Sequence, residues 1–301
     1  MTPLASPPLH LAEALPPLFV CAGYLITYRA RARTLARQGR AVARWRYASF
    51  AAGVCILTLV QLPPLDELAD TVLIAHVVQH IAIGDIASFL VVAGVTGPVL
   101  QPLLHVRATR WLRPLAHPVT ALLLWALNYY VWHLPALYQA GIRHDAVHAL
   151  EHASYFWFGM LLWLALLGPM PKPGWFGNWA RLGYVALVRF AGAVLANAFI
   201  WAGTVFYPYY DGRDVRYGLK PLSDQNVAGA IMMIEQIILT TLLLAWLFGR
   251  AARQDEERQE LLDLAEKRGV ALSDARAARA AASGGAARMR ERLLNQDSKR
   301  S

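Results

Sequence analysis

The stretch AVHALEHASYFWFGMLLWLALL (Ala146–Leu167) contains no Lys or Arg, and its second half is almost wholly apolar. Its 22 residues would form a helix about 33 Å long, enough to cross the hydrocarbon core of a bilayer. His148 and His152 lie four residues apart near its start, so both rings project from one helix face. The stretch therefore predicts a membrane-spanning helix that carries two histidines at one end.

Six other segments of the chain have a similar apolar character. The chain is 56% hydrophobic and only 16% charged, whereas a typical soluble domain is about 25% charged. We therefore predict an all-α fold, a bundle of seven transmembrane helices in the lipid bilayer. The predicted spans are Leu11–Tyr28, Tyr47–Gln61, Ala69–Val92, Pro118–Leu134, Ala146–Leu167, Gly183–Phe206 and Asn226–Leu247.

The charges of the predicted loops alternate along the chain. The loop after Tyr28 holds seven arginines, the next holds three acidic residues and no base, and the third is basic again. Arginine-rich loops tend to stay in the cytoplasm. This rule predicts that the N-terminus lies outside and the C-terminus in the cytoplasm. We expect a multi-pass protein of the cell inner membrane. The loop positions of the arginines also explain the net charge of +9 without a nucleic-acid partner.

The composition changes after residue 249. Residues 1–249 are predicted to form the membrane domain, and residues 250–301 a charged, partly helical cytoplasmic tail. Gln254 to Lys267 can form a helix with a thin apolar face. That face indicates either a solvated helix or a docking helix for a partner.

Five histidines are predicted to lie at a similar depth near the outer membrane face. Two pairs have i,i+4 spacing on the third and fifth predicted helices, and one histidine ends the fourth. Polar side chains inside a membrane are costly and tend to be functional, and imidazole is a ligand for copper, zinc, iron and nickel. The candidate metal ligands are His76, His80, His133, His148 and His152. A hydrogen-bonded polar core is the alternative interpretation.

Other polar and sulfur-containing side chains near these histidines are accessory candidates. Thioethers suit Cu(I), although methionine in a helix is usually packing. An aspartate at the start of a helix is most simply a cap, or else an acceptor behind a liganding histidine. These candidates are Gln79, Glu151, Asp224, Gln225, Met232 and Met233. Asp85 and Glu235 lie deeper in apolar runs, where a carboxyl group is protonated or paired.

Four segments, in this order, resemble the CtaG family of multi-spanning cytochrome c oxidase assembly proteins. They are AHVVQHIAIG (Ala75–Gly84), VWHLPALY (Val131–Tyr138), VHALEHASYFWFGMLLW (Val147–Trp163) and PLSDQNVAGAIMM (Pro221–Met233). The arginine-rich first loop is also similar. The chain departs from the family pattern where it reads GDIASFL (Gly84–Leu90) and at Met233, where the family often has a proline-containing stretch and a tryptophan. These departures indicate a distant subfamily.

The resemblance implies a non-enzymatic, membrane-bound assembly factor for a haem-copper oxidase. Its partner would be an oxidase subunit, and its outer-face histidines would bind copper and support copper delivery. Zinc and haem remain alternative cofactors, and the sequence leaves the oligomeric state open.

Three other functions are alternatives to an oxidase assembly factor. A haem-binding electron carrier is disfavoured, because two histidines on one helix face cannot both be axial ligands of one iron. A zinc hydrolase is suggested by His148, Glu151 and His152, which match an inverted zinc-enzyme motif. An intramembrane copper transporter would need ligands deeper along its path.

Overall fold

A computed structural model describes residues 11–105, 114–170, 172–213 and 217–295 of the chain. All regular secondary structure in these ranges is helical, which confirms the predicted all-α class. The chain divides into two compact units, Met1–Ile237 and Ile238–Ser301.

Eleven α-helices begin in the described part of the first unit, and the last of them continues into the second unit. They are α1 (Leu11–Arg37), α2 (Arg44–Leu59), α3 (Leu65–Ala69), α4 (Leu73–Ile81), α5 (Ser88–Gly94), α6 (Gly97–His105), α7 (Pro118–Trp132), α8 (Pro135–Arg143), α9 (Asp145–Leu167), α10 (Asn178–Trp201) and α11 (Pro221–Lys267). A π-helical segment, Ala82–Ala87, joins α4 to α5. Short 3₁₀ turns lie at Pro114–Ala116 and Pro208–Tyr210.

Four helical stretches among the described residues are long and apolar enough to cross a membrane. They are Leu73–Gly94, Asp145–Leu167, Asn178–Trp201 and Pro221–Lys267, and they correspond to the third, fifth, sixth and seventh predicted spans. In contrast, α2 has 16 residues and α7 has 15, fewer than the about 20 that a span needs. The fold is therefore that of a membrane protein, and the full count of seven spans stays a prediction.

The third predicted span begins later than expected. Ala69 is the last residue of α3, and α4 starts only at Leu73. Val72 between them has an extended backbone (φ −134°, ψ 124°), which ends one helix before the next begins. This shift of four residues sets the depth of the histidines that follow.

Close packing of glycines holds α5 and the π-helical segment between α2 and α9. A Cβ atom at Gly53 of α2 would lie 2.8 Å from the Ala87 carbonyl oxygen, and one at Gly159 of α9 would meet the Gly84 carbonyl. Small residues let membrane helices approach this closely. The π-helical segment follows directly after α4, which carries His76 and His80. Its close packing against α9 therefore also holds α4 near α9.

The described part of the second unit consists of the rest of α11, α12 (Asp274–Ala282) and α13 (Ala286–Asn295). These helices share a small apolar cluster that includes Leu261, Ala277 and Leu293. Arg258 pairs with Asp274 at 2.6 Å. The helix predicted over Gln254–Lys267 is the end of α11, and the predicted domain boundary at residue 250 stays a prediction.

Adding one methyl group at Gly159 should disrupt the contact between α9 and the π-helical segment. In Gly159→Ala, the new Cβ would also lie 2.9 Å from Ser88 Oγ, so backbone must move. We expect a loss of roughly 1–3 kcal/mol of stability, measured by thermal unfolding of the purified protein. Gly183→Ala in α10 is the matched control, because a Cβ there meets nothing within 4 Å. Equal unfolding temperatures for the two variants would contradict this packing.

Candidate metal centre

The two histidine pairs occupy equivalent positions on their helices. His76 and His80 are the fourth and eighth residues of α4, and His148 and His152 are the fourth and eighth of α9. At 1.5 Å per residue, each pair lies about 4.5 and 10.5 Å from the first residue of its helix. If the third span began at Ala69, as predicted from the sequence, the depths of the two histidine pairs would overlap only partly. The observed start at Leu73 makes the depths equal.

The four imidazole rings of these pairs form one compact array. Ring centroids of His76 and His148 are 5.4 Å apart, and those of His80 and His152 are 5.2 Å apart. Within each helix, the two centroids are separated by 4.2 Å in α4 and 4.1 Å in α9. Because the first residue of one pair faces the first of the other, α4 and α9 run in the same direction here.

The carboxylate of Glu151 belongs to the same cluster. One ligand atom from each of His76, His80, His148 and Glu151 lies within 4.8 Å of all the others. Glu151 is completely buried, and its Oε1 is 3.8 Å from His80 Nε2. From the sequence, Glu151 is predicted as an accessory residue and as a member of the inverted zinc-enzyme motif. The structure places it beside three histidines, and we call these four residues the His₃Glu group.

Several buried polar atoms of this region have no hydrogen-bond partner among the described residues. They include the Nε2 atoms of His80, His148 and His152 and both carboxylate oxygens of Glu151. Buried polar groups are normally hydrogen-bonded, and leaving them unpaired costs free energy. A cation among them would receive these lone pairs. Three imidazoles and one carboxylate make a ligand set that fits zinc or copper.

A glycine of α8 lets Glu151 occupy its position. A Cβ atom at Gly141 would lie 2.5 Å from Glu151 Oε2. Tyr138 of the same helix has its ring centroid 5.0 Å from that of His76. Helix α8 therefore packs directly against the His₃Glu group, with Gly141 next to the carboxylate.

His133, the fifth predicted ligand, lies apart from the other four histidines. Its Nδ1 is 2.7 Å from the Tyr129 carbonyl oxygen and 3.2 Å from the Tyr155 hydroxyl. The ring of Tyr155 contacts both His80 and His133, with centroid distances of 4.6 and 6.4 Å. Tyr155 therefore connects His133 to the four-histidine array, and His133 has hydrogen-bond partners of its own.

Asp224 caps a helix other than its own. Its Oδ2 accepts the backbone N–H of Leu73 at 2.7 Å, and its Oδ1 accepts that of Ile74 at 3.0 Å. These are free N–H groups in the first turn of α4, which a capping acceptor satisfies. The sequence indicated a cap at the start of α11 or an acceptor behind a histidine. The structure shows that this carboxylate fixes the start of the helix that holds His76 and His80.

The next residue, Gln225, anchors the chain that follows α10. Its Oε1 accepts the Phe206 N–H at 2.7 Å, and its Nε2 donates to the Thr204 carbonyl at 3.1 Å. Gln225 is completely buried. The first turns of α11 therefore tie both α4 and the 202–207 segment in place.

The remaining accessory candidates have packing or tethering contacts. Met232 is buried in an apolar cluster with Val77 and Tyr138, and Met233 packs against that cluster. Gln79 donates its amide to the Val60 carbonyl at 2.8 Å and to Asp66 Oδ1 at 2.7 Å. Those two bonds hold α4 to the preceding segment.

A cavity extends from His80 to a cluster of charged side chains. Two of its members, Asp85 and Glu235, were identified from the sequence, and the third, Arg189, was not. The cavity is lined by His80, His133, Asp85, Arg189, Glu235 and Gln236, among others. Arg189 Nη1 is 3.5 Å from Glu235 Oε1, and its Nη2 is 4.0 Å from Asp85 Oδ1. Asp85 and Glu235 are thus paired, one of the two states expected for them. The partner could have been found from the sequence, because Arg189 is an arginine inside the predicted span Gly183–Phe206.

Comparison with known families and proteins supports the resemblance. Residues 22–254 match the model of the Caa3_CtaG family, described as cytochrome c oxidase caa3 assembly factor. The match covers most of the chain and includes all four motifs. No curated protein and no solved structure gives a match.

Removing the Asp224 carboxylate should loosen the first turn of α4. For Asp224→Ala we expect a loss of about 0.5–2 kcal/mol, as for other lost caps. Hydrogen exchange at the Leu73 and Ile74 amides should become faster, which mass spectrometry of a peptide covering α4 can measure. Asp211→Ala, at an exposed loop position, is the control. Unchanged exchange in α4 would show that the cap does not fix this helix.

Proposed function

Because the chain belongs to the Caa3_CtaG family of cytochrome c oxidase caa3 assembly factors, we propose that it binds copper at the His₃Glu group and supports copper delivery to an oxidase subunit. The observation that carries this proposal is the convergence of His76, His80, His148 and Glu151 within 4.8 Å. An oxidase of the haem-copper class needs copper in its own centres. An assembly factor with a metal-ligand cluster is suited to supplying it.

The chemistry of the group favours copper held by nitrogen and oxygen. Imidazole and carboxylate ligands bind Cu²⁺ more tightly than the other divalent first-row metals, zinc included. The two methionines that would favour Cu(I) belong to or pack against an apolar cluster. We therefore propose copper as the cargo and zinc as the competitor to be tested against it.

The burial of the ligands suggests how a metal would be exchanged. His76 and Glu151 are completely buried, whereas His148 is only partly buried. A metal would enter and leave past His148, close to the first turn of α9. Exchange with a partner at one membrane face needs this kind of one-sided access.

The orientation of the protein would place this group near the outer face. The proposed topology, N-terminus outside and C-terminus in the cytoplasm, is supported by the arginine-rich first loop and the acidic second loop. Helices α4 and α9 both begin after predicted external loops. A reporter fused after Arg253 should therefore be active as a cytoplasmic reporter and inactive as a periplasmic one. The reverse pattern would show that the topology is inverted.

Replacing the α4 pair should abolish metal binding. We expect the wild-type protein to retain copper after purification and His76→Ala/His80→Ala to lose it, because two of four ligands are removed. Copper per protein can be measured by elemental mass spectrometry. His144→Ala is the matched control, since His144 is exposed just before α9. Undiminished copper in the double variant would leave a polar core as the explanation of the histidines.

The role of Glu151 can be tested with an isosteric change. Glu151→Gln keeps the volume that faces Gly141 but removes the charge, so we expect copper affinity to fall at least about tenfold. Competition titration with a chelator measures the affinity, and His133→Ala serves as the comparison variant. His133 lies outside the His₃Glu group, so its replacement should change the affinity less. The opposite order of effects would assign the ligand role to His133.

A further inference from the structure

A second polar cluster lies along the cavity that His80 lines. It consists of Asp85 in the π-helical segment, Arg189 in α10 and Glu235 in α11. The side chains are 17%, 11% and 14% exposed, respectively. One guanidinium thus lies near two carboxylates in a largely apolar part of the helix bundle.

The charges of this cluster do not balance. Two ionised carboxylates and one guanidinium leave one net negative charge. Water can bridge the separations of 3.5 and 4.0 Å between Arg189 and the carboxylates, but it does not neutralise that charge. An uncompensated charge in apolar surroundings costs several kcal/mol. The cluster therefore requires one more positive charge, from a cation or a proton.

A neutral amide oxygen lines the same cavity as the two carboxylates. Gln236 is 6% exposed, lines the same cavity, and its Oε1 has no hydrogen-bond partner among the described residues. Oxygens Oδ1 of Asp85 and Oε1 of Glu235 also lack one. The amide of Gln236 packs against Gly192, where a Cβ would be 2.6 Å from it. Of these three oxygens, the two carboxylate oxygens face Arg189 at 3.5 and 4.0 Å without forming a hydrogen bond, and the amide oxygen has no hydrogen-bond partner among the described residues.

We propose that this end of the cavity binds one alkali-metal cation through Asp85, Glu235 and Gln236. Oxygen ligands suit hard cations. A single positive charge balances the cluster, whereas a divalent ion would leave an excess. Arg189 neutralises the remaining carboxylate charge and holds the two acidic side chains near each other. The π-helical segment that carries Asp85 is a kind of helix irregularity often found at functional sites.

Unfolding of the whole purified protein in different salts tests this proposal. Unfolding temperatures are compared in sodium, potassium and choline chloride at constant ionic strength. We expect sodium or potassium to raise the unfolding temperature by roughly 3–5 °C for each tenfold rise above half-saturation, with no rise in choline. Equilibrium dialysis with radioactive sodium, displaced by potassium, should give one bound ion per chain. Identical behaviour in all three salts, with no bound sodium or potassium, would overturn the proposal.

Variants separate this cation site from a general salt effect. Glu235→Gln removes the excess negative charge, so its unfolding temperature should not depend on sodium. Asp85→Asn makes the same prediction from the other carboxylate. Glu67→Gln, at an exposed position in α3, should behave as the wild type. A sodium response in Glu235→Gln equal to that of the wild type would contradict the assignment.

A proton in place of the cation gives a different result. Stability would then depend on pH and not on the alkali ion, and this outcome would also overturn the proposal. The test is independent of copper, because His76→Ala/His80→Ala leaves the three oxygen ligands intact and should keep the sodium response. Loss of copper binding and loss of the sodium response are therefore distinguishable failures.

Discussion

The structure of the candidate site depends on where one helix starts, and a carboxylate 151 residues further along the chain fixes that start. Asp224 accepts the N–H groups of Leu73 and Ile74, so α4 begins at Leu73 instead of continuing from α3. If Asp224 held N–H groups one residue earlier or later in the sequence, the register of the helix would shift, and His76 and His80 would turn by about 100° around its axis. The cap therefore controls both the depth and the direction of the two histidines relative to α9.

Burying the polar groups of the His₃Glu group inside a membrane costs free energy. The Nε2 atoms of His80 and His152 and both carboxylate oxygens of Glu151 are buried and form no hydrogen bond with any residue that the structure describes, although an apolar set of the same volume would pack at no such cost. Gly141 of α8 leaves room for the Glu151 carboxylate, and Gly159 lets α9 pack closely against the π-helical segment that follows α4. Close packing and these unpaired polar atoms together support the proposed cation site.

The sequence could predict whatever depends on local periodicity. Apolar runs predicted the main helices. The i,i+4 spacing predicted that each histidine pair, His76 with His80 and His148 with His152, shares one helix face. What it could not predict depends on contacts between distant segments. The cap on α4 comes from α11, and Glu151 joins the ligands only because Gly141 leaves room for it. His133 was predicted to join the other four histidines, yet the Tyr155 ring contacts both His133 and His80.

The cavity next to His80 bears on the choice between delivery at one face and passage through the membrane. Passage needs ligands beyond the histidines, and the cavity does provide Asp85, Glu235 and Gln236. These are hard oxygen ligands, and Arg189 contacts both carboxylates. A copper ion that left the three imidazoles for this cavity would exchange nitrogen ligands for hard oxygen ligands, which suit copper less well. This difference in ligand preference supports the proposed release on the side of His148, and it distinguishes the proposed copper site at the His₃Glu group from the proposed alkali-ion site in the cavity.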